Sequence, residues 1–161
     1  MSEVTALARR YAIDIQTGVD ETTSEPIWER LLGVREFSPQ IEPTHEDDSL
    51  YEHDGWVGNV RTALAWSAEV VISHRVNATT GAYNAVHRHL RNSAMAFGSG
   101  SLVPVRYYDR GGAVDDAWQG ESLVTWEPEG GEHTNPDRVT VTLTGNGPLV
   151  AITNPAAPEG A

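Results

Sequence analysis

One run of the sequence alternates between two kinds of residue for longer than an ordinary β-strand requires. The even positions are mainly apolar, whereas the odd positions are small, polar or charged. The even set is Thr62, Leu64, Trp66, Ala68, Val70 and Ile72, and the odd set is Arg61, Ala63, Ala65, Ser67, Glu69, Val71, Ser73 and Arg75. A period of two indicates a half-buried strand. Its length of about 14 to 16 residues, against about 5 to 6 in a typical strand, exceeds what one small β-sandwich needs.

The segment before this strand is strongly acidic. No Lys or Arg occurs between Arg35 and Arg61, whereas seven acidic residues do: Glu36, Glu42, Glu46, Asp47, Asp48, Glu52 and Asp54. A loop of about 20 residues without secondary structure is uncommon in a compact domain and usually has a function or is disordered. Tyr51 and Trp56 favour a function, because large aromatic side chains are enriched in protein interfaces. The sequence therefore predicts a long loop at about 40–60 that contacts a partner.

The remaining sequence predicts further strands and one helix. Strands are expected at 7–16, at 27–37 with an interruption at Gly33, at 103–107, at 117–126 and at 138–145. A glycine inside a strand ordinarily marks a bulge or bend. Apolar residues three and four apart between Tyr83 and Phe97 predict a helix that ends at Gly98. Together these elements predict a mainly β (α+β) fold, an antiparallel β-sandwich or barrel of about six to eight strands with one flanking helix and a long inter-strand loop.

The same patterns predict a core and the limits of the domain. The apolar faces of two strands are expected to meet in the core: Leu64, Trp66, Val70 and Ile72 with Val139, Val141 and Leu143. The length of 161 residues fits a single domain, 1–161. The tail ITNPAAPEGA, and residues 155–161 in particular, is expected to be loose.

Composition excludes several classes of function. The formal net charge of −12 disfavours nucleic-acid binding, which depends on Lys and Arg. The absence of cysteine excludes disulfides, thiolate metal sites and cysteine nucleophiles. No signal-peptide h-region and no run of 18 apolar residues occurs, so we expect a protein made in the cytosol with no membrane segment.

The chemically reactive residues match no established motif. The acidic segment contains oxygen and imidazole ligands, but no HExxH sequence and no DxDxDG loop, so neither a metal nor any other cofactor is predicted. His87 and His89 are two apart on the predicted helix, and are expected at the surface. A second acidic run around Asp115 and Asp116 is interpreted as a solvated face and not as a catalytic carboxylate pair.

The tryptophans divide into two groups. Trp66 and Trp126 lie on apolar strand faces and are expected in the core. Trp56, in the acidic loop, and Trp118, at the start of a strand, are candidates for an interface.

Several sequence blocks resemble a known family when they are taken in order. The blocks are DDSLYEHDGW, RTALAWS, TTGAYNAVHRHL, VRYYDRGG, DAWQGESLVTWEPEGG and VTVTLTGNGP…ITNP. They resemble the major tail tube protein of long, non-contractile-tailed (siphovirus-type) bacteriophages of actinobacteria, over nearly the whole chain. The resemblance implies a two-sheet sandwich flanked by a helix, assembled as stacked hexameric rings into a hollow tube. It also implies a place in the virion tail, and tape measure, tail terminator and distal tail proteins as partners.

Given this resemblance, the sequence suggests which residues meet neighbours and which meet DNA. The expected subunit-interface residues are Asp47, Asp48, Tyr51, Trp56 and Trp118. The residues expected to line the lumen are Ala63, Ala65, Ser67, Glu69, Val71 and Ser73, because the even face is too apolar to meet water. Thr140, Thr142 and Thr144 are second candidates. An acidic wall lets DNA pass without specific binding.

Two other functions are compatible with the sequence. The chain could be a β-sandwich binding module whose acidic loop holds calcium or another ligand, or a hydrolase with paired carboxylates. Only the tail tube subunit is expected to polymerise, so microscopy of the purified protein distinguishes it from both.

Overall fold

The computed structural model describes residues 3–156, which form antiparallel β-strands and one α-helix. The strands are β1 (Tyr11–Val19), β2 (Pro26–Arg30), β3 (Val34–Asp47), β4 (Asn59–Ser73), β5 (Leu102–Asp109), β6 (Ala117–Pro128), β7 (Arg138–Gly145) and β8 (Val150–Ala151). The helix α1 spans Ala85–Ala94, and short 3-10 helices span Ala8–Arg10, Tyr51–His53 and Gly98–Ser101. The strand order in the sheet is β2-β1-β5-β6-β7-β4-β3, and β8 pairs with β6. The predicted antiparallel fold with one flanking helix is confirmed.

The two edge strands of this sheet are joined by a very short link. β2 ends at Arg30 and β3 begins at Val34, yet the two lie at opposite edges. In a flat sheet, six spacings of about 4.8 Å would separate the edges by about 29 Å. A link of three residues spans at most about 14 Å. The sheet must therefore curl until its edges approach, and the ring of Phe37 on β3 accordingly lies 5.3 Å from that of Tyr11 on β1.

Gly33 lies in this link, so the predicted interruption is present, but the segments on its two sides are the separate strands β2 and β3 and not one strand at 27–37. Its φ of 79° is rare for residues with a side chain. A Cβ added there would lie 2.7 Å from the carbonyl oxygen of Ser73. The carbonyl of Gly33 also accepts a hydrogen bond from the backbone N–H of Ser73 (2.8 Å). The chain needs a glycine here because it turns sharply while touching the end of β4.

The long alternating strand is confirmed as β4, with 15 residues. Trp66, Ala68, Val70 and Ile72 are buried, together with Val139, Val141 and Leu143 of β7. Leu64 was expected in the same core but is 63% exposed, so that assignment is wrong. The reason is topological: β7 pairs with β4 only from Ser67 to Ser73, and the first half of β4 extends beyond the core.

The helix packs against β6 and also reaches β1 and β5. Its start is set by Asn84, whose side chain accepts hydrogen bonds from the N–H groups of Val86 and His87. Val86 and Leu90 join the core. The helix ends at Ala94 instead of continuing to Gly98, and Phe97 is 96% exposed.

The later strands match their predictions, whereas the start of the tail does not. β5, β6 and β7 cover the three predicted segments, and β7 has the predicted bounds. Residues 152–154 are held in place: the N–H of Ile152 donates to Ala117 (3.0 Å), and the buried Asn154 side chain donates to the carbonyls of Asp109 and Ala113 (2.8 and 3.0 Å). Residues 157–161 of the predicted loose tail lie outside the described residues.

Candidate functional site

β3 and β4 form a long hairpin that carries most of the predicted functional residues. The pairing runs from Val34 opposite Ile72 to Asp47 opposite Asn59. The predicted loop at 40–60 is therefore wrong in its first part, because residues 40–47 belong to β3. The remaining connection is short. In the following, the acidic turn means residues 46–58.

Two strand edges of this hairpin are unpaired within residues 3–156. β3 is the last strand of the sheet, so its outer edge has no neighbour. β4 pairs with β7 only from Ser67 onward, so residues 59–66 have a partner strand on one side only. Unpaired edges expose N–H and C=O groups that can pair with another chain. The hairpin therefore offers backbone edges on both sides.

The solvent-facing side of β6, β7, β4 and β3 forms a continuous surface, which we call the outer face. Paired residues on neighbouring strands point to the same side of a sheet. Ser38 on β3 and Thr142 on β7 both lie opposite Glu69, and Thr125 on β6 lies opposite Thr142. The residues of this face that flank positions 63 to 73 of β4 are Leu123, Thr125, Glu127, Arg138, Thr140, Thr142, Thr144, Glu36, Ser38, Gln40, Glu42 and Thr44.

The outer face carries mainly small side chains on β4 and β7, and most of its charged side chains are acidic. The predicted Ala63, Ala65, Ser67, Glu69, Val71 and Ser73 all lie on it, with the threonines of β7 beside them. Glu69 is joined there by Glu36, Glu42 and Glu127, all exposed. This part of the face, from Ala63 to Ser73 of β4 and the residues that flank it, contains no Lys. Its one Arg is Arg138, which lies opposite Ser73. The three further glutamates were missed because only strand register shows which residues share a face.

The acidic turn is held by its own hydrogen bonds. Asp47 accepts hydrogen bonds from the hydroxyl and the backbone N–H of Ser49 (2.5 and 2.8 Å). These bonds lower the pKa of the Asp47 carboxyl, the hydroxyl contributing most. The N–H of Leu50 donates to His53 Nδ1 (3.0 Å), and the N–H of Gly58 donates to Ser49 Oγ (3.0 Å). The turn thus presents a defined shape.

The aromatic residues of the acidic turn point into solvent. Tyr51 is 100% exposed and Trp56 is 81% exposed. Trp118, the other aromatic interface candidate, lies apart on β6 and is half-buried, with its ring 5.6 Å from that of Tyr107. The structure therefore brings Asp47, Asp48, Tyr51 and Trp56 together and places Trp118 at the margin of the core.

Two buried polar groups were not anticipated. Asp14 is buried on β1, and it pairs with Arg106 Nε (2.9 Å) and accepts from the hydroxyl of Tyr108 (3.4 Å). His87, expected at the surface, is fully buried, which corrects that prediction. Sequence spacing could not reveal either group, because the partners of Asp14 lie on β5 and those of His87, Leu32 and Arg75, lie in connections outside the helix.

Neither a metal cluster nor a membrane-crossing helix is found in residues 3–156. No three His, Asp or Glu side chains of this part of the chain are arranged to hold a metal ion. Nor is any helix in it long and apolar enough to cross a membrane.

Comparison with known proteins shows the fold. No protein-family model and no curated protein matches the sequence. A chain from the hybrid structure of the SPP1 tail tube matches with a TM-score of 0.64 and 12% identity, over 97% of this chain and 84% of that one. The chain has the tail-tube fold. A chain from the virion of the native gene transfer agent particle matches with a TM-score of 0.67 and 12% identity, over 92% of this chain and 100% of that one.

A third solved structure adds the symmetry of an assembly with this fold. It is the tail of the empty gene transfer agent particle, with C6 symmetry, and it matches with a TM-score of 0.63 and 16% identity. The match covers 92% of this chain and 100% of the other chain. The tail-tube fold thus occurs in a helical, sixfold assembly.

Proposed function

We propose that this chain is the major tail tube subunit of a long, non-contractile-tailed phage of actinobacteria. Six copies form a ring, and the rings stack into a hollow tube that conducts DNA from the capsid to the host cell. The observation that carries the proposal is the β3–β4 hairpin, which projects from a tail-tube fold with the outer edge of β3 and the edge of residues 59–66 of β4 unpaired within the described residues.

The unpaired edges supply a reason to assemble. A long, exposed edge strand on a free monomer is an aggregation hazard, and closing a sheet into a barrel removes it. The outer edge of β3 is about as long as the 14-residue strand itself, and residues 59–66 of β4 offer a second edge. Pairing of these edges between neighbouring copies joins the hairpins of a ring into one closed barrel.

The outer face supplies the wall of the conduit. Its side chains on β4 and β7 are mostly short, which keeps a bore wide, and the charged groups around Glu69 are carboxylates. Phosphate backbones bind proteins chiefly through Lys and Arg, so an acidic wall repels DNA instead of holding it. A ring of six chains carries 6 × −12 = −72 formal charges. Contacts between subunits must therefore rest on apolar surface and paired charges.

The proposed place of the protein follows from this role. It is made in the host cytoplasm and incorporated into the virion tail. Its partners there are further copies of itself, together with the tape measure, tail terminator and distal tail proteins that the sequence resemblance implies. The role is structural, without catalysis or cofactor.

Negative-stain microscopy of the purified protein tests the proposal. Hollow tubes of uniform width with sixfold end views are expected, at a protein concentration where edges can pair. Particles without a central bore, or a monomer at every concentration tested by sedimentation, would contradict a tube subunit. Either result would favour a free binding module or a hydrolase, which need no polymer.

A further inference from the structure

A cavity at the beginning of β3 gathers arginine in an otherwise acidic protein. The cavity has a volume of about 340 Å³ and lies between the 3-10 helix Ala8–Arg10, the link after β2, and the turn after β5. Four of the eleven basic residues line it: Arg9, Arg30, Arg35 and Arg110. Glu36 is its one acidic lining residue. The lining therefore carries +4 − 1 = +3, and the rest of the chain carries −12 − 3 = −15.

The arginines that line this cavity form no ion pairs within residues 3–156. The ion pairs found in residues 3–156 are Arg10–Asp109, Arg106–Asp14 and His74–Asp137, none of which involves a lining arginine. Arg30 donates to the hydroxyl of Tyr108 (3.1 Å), and Arg110 donates to the carbonyl oxygen of Arg9, both uncharged acceptors. The exposed Arg35 has no hydrogen-bonded side-chain partner in the described part of the chain. None of the four lining arginines is thus held in an ion pair within the described residues, although the carboxylate residue Asp14 lies opposite Arg30 in the β1–β2 pairing.

The arginine cavity also has an aromatic and aliphatic side. Tyr11 and Phe37 line it with their rings in edge-to-face contact, and the exposed Leu32 and Val34 lie beside them. Arginine and aromatic side chains are the residues most enriched where interfaces derive their energy. The ligand that fits this surface is therefore acidic and aromatic together, and not a simple anion.

The acidic turn of the same sequence has this composition. It carries Glu46, Asp47, Asp48, Glu52 and Asp54 with no Lys or Arg, and it presents the exposed Tyr51 and Trp56. The acidic turn cannot reach the cavity of its own chain, because the cavity lies at the beginning of β3 and the turn follows its end. Arg35 and Asp47 are 12 residues apart on that strand, which corresponds to about 40 Å of extended chain.

We propose that the arginine cavity of one copy binds the acidic turn of a second copy. The contact is head-to-tail, since it joins two different surfaces, and a contact of this type repeats from copy to copy. It rests on the proposed function in naming the partner as another tube subunit. The arginine cavity and the acidic turn would then supply the contact between opposite charges that an assembly of acidic chains requires.

A nucleic acid is a poorer occupant of the same cavity. Its phosphates would meet the four arginines, but the surrounding chain at −15 repels a long polyanion. A turn with five carboxylates brings only a small, localised charge. It also supplies aromatic rings that can lie against Tyr11 and Phe37.

A charge-swap cycle on the full chain tests the contact. Arg35→Glu and Asp48→Arg each place like charges at the proposed contact, and the double variant Arg35→Glu/Asp48→Arg restores opposite charges. We expect each single variant to raise the protein concentration needed for assembly by about tenfold or more, and the double variant to recover most of that loss. Arg88→Glu, an exposed helix residue that does not line the cavity, is the matched control and should assemble like the wild type. Circular dichroism confirms that each variant is folded.

Sedimentation and microscopy together separate this contact from the tube itself. Tubes that form equally well in both single variants would overturn the contact and leave the tube function standing. Assemblies without a bore that still follow the charge-swap pattern would support the contact and overturn the tube. A wild type that stays monomeric throughout would overturn both. A single-stranded DNA oligonucleotide that binds the monomer, and no longer binds after Arg35→Glu, would assign the cavity to nucleic acid instead.

Discussion

The Nε2 atom of His87 lies 2.7 Å from the carbonyl oxygen of Leu32, which fastens the helix to the link between the two sheet edges. Nδ1 of the same ring accepts a hydrogen bond from the backbone N–H of Arg75 (3.3 Å). One neutral tautomer, with the proton on Nε2, satisfies both bonds. Protonation would turn Nδ1 into a donor and break the bond from Arg75.

The stability of the fold should therefore fall on acidification. Burial lowers the pKa of His87 below its ordinary value of 6.5, with the bond to Leu32 opposing this and His74 and Arg75 adding to it. The unfolded chain then binds more protons than the folded chain as the pH falls below about 6.5, so unfolding is favoured. The contribution of His87 to stability is fully present above pH 6.5. It decreases as the pH falls from 6.5 toward the lowered pKa of His87 in the folded chain. Denaturant unfolding at pH 7.5 and pH 5 measures this loss.

His87→Gln is the informative variant for this pH effect. Its amide can still donate to Leu32 but does not titrate. We expect a smaller difference in unfolding free energy between the two pH values than in the wild type. His89→Gln, on the same helix but half-exposed, is the control. An unchanged pH dependence in His87→Gln would assign the effect to other groups.

Two residues of β4 should respond differently to the same truncation. Ile72 is fully buried between β3 and β7, so Ile72→Ala should lower the unfolding free energy by about 2 to 5 kcal/mol. Leu64 has the same side-chain volume and is on the same side of the strand, but is 63% exposed. Leu64→Ala should leave monomer stability nearly unchanged. Chemical denaturation of both variants decides the matter, and equal losses would mean that the first half of β4 is packed in solution.

The contrast between Ile72 and Leu64 shows what the sequence could predict. Alternation identified the strand, its length and its buried side, because the side-chain period is a local property. It could not show where β7 stops, and so could not show that the part of the strand before Trp66 lies outside the core. Likewise, the link at Gly33 was interpreted as a bulge or bend within one strand, because a local pattern does not reveal that the flanking strands lie at opposite edges. Glu69 was found by alternation, whereas its neighbours Glu36 and Glu127 required the register.

The acidic turn should become protected when the protein assembles. Residues 40–47 pair with β4 in the free chain, so the amides among them that bond to β4 should exchange slowly before and after assembly, whereas those on the outer edge of β3 should become slow only when that edge is paired. Amides of residues 48–58 should exchange more slowly in the polymer than in the monomer, because the turn with Tyr51 and Trp56 is exposed until a partner covers it. Hydrogen exchange followed by mass spectrometry measures both. Equal protection of 48–58 in the two states would remove the turn from the interface.

Trp56 should contribute to assembly and not to folding. Trp56→Ala should weaken polymerisation by about 2 kcal/mol or more if its ring fills a pocket on a neighbour. Its unfolding free energy as a monomer should match the wild type. Phe97→Ala removes an equally exposed aromatic side chain outside the acidic turn and is the control. The measurement is the protein concentration at which each variant begins to polymerise. If this concentration is similar for Trp56→Ala and Phe97→Ala, the position of Trp56 in the acidic turn has no special role in assembly.

Glu69→Arg tests whether the outer face lines the conduit. Glu69 is exposed at the centre of this face, opposite Ser38 and Thr142, so arginine can replace it without disturbing the core. Six cations per ring would then face the DNA, and each neutralised phosphate adds salt-dependent affinity. We expect tubes to form, to retain DNA at low salt and to release it at high salt, and phage carrying the variant to eject their genome slowly at low salt. Asp115→Arg makes the same change of charge in the turn before β6 and should not retain DNA. Ejection at the wild-type rate at every ionic strength in Glu69→Arg would show either that this face lies outside the bore or that wall charge does not control passage.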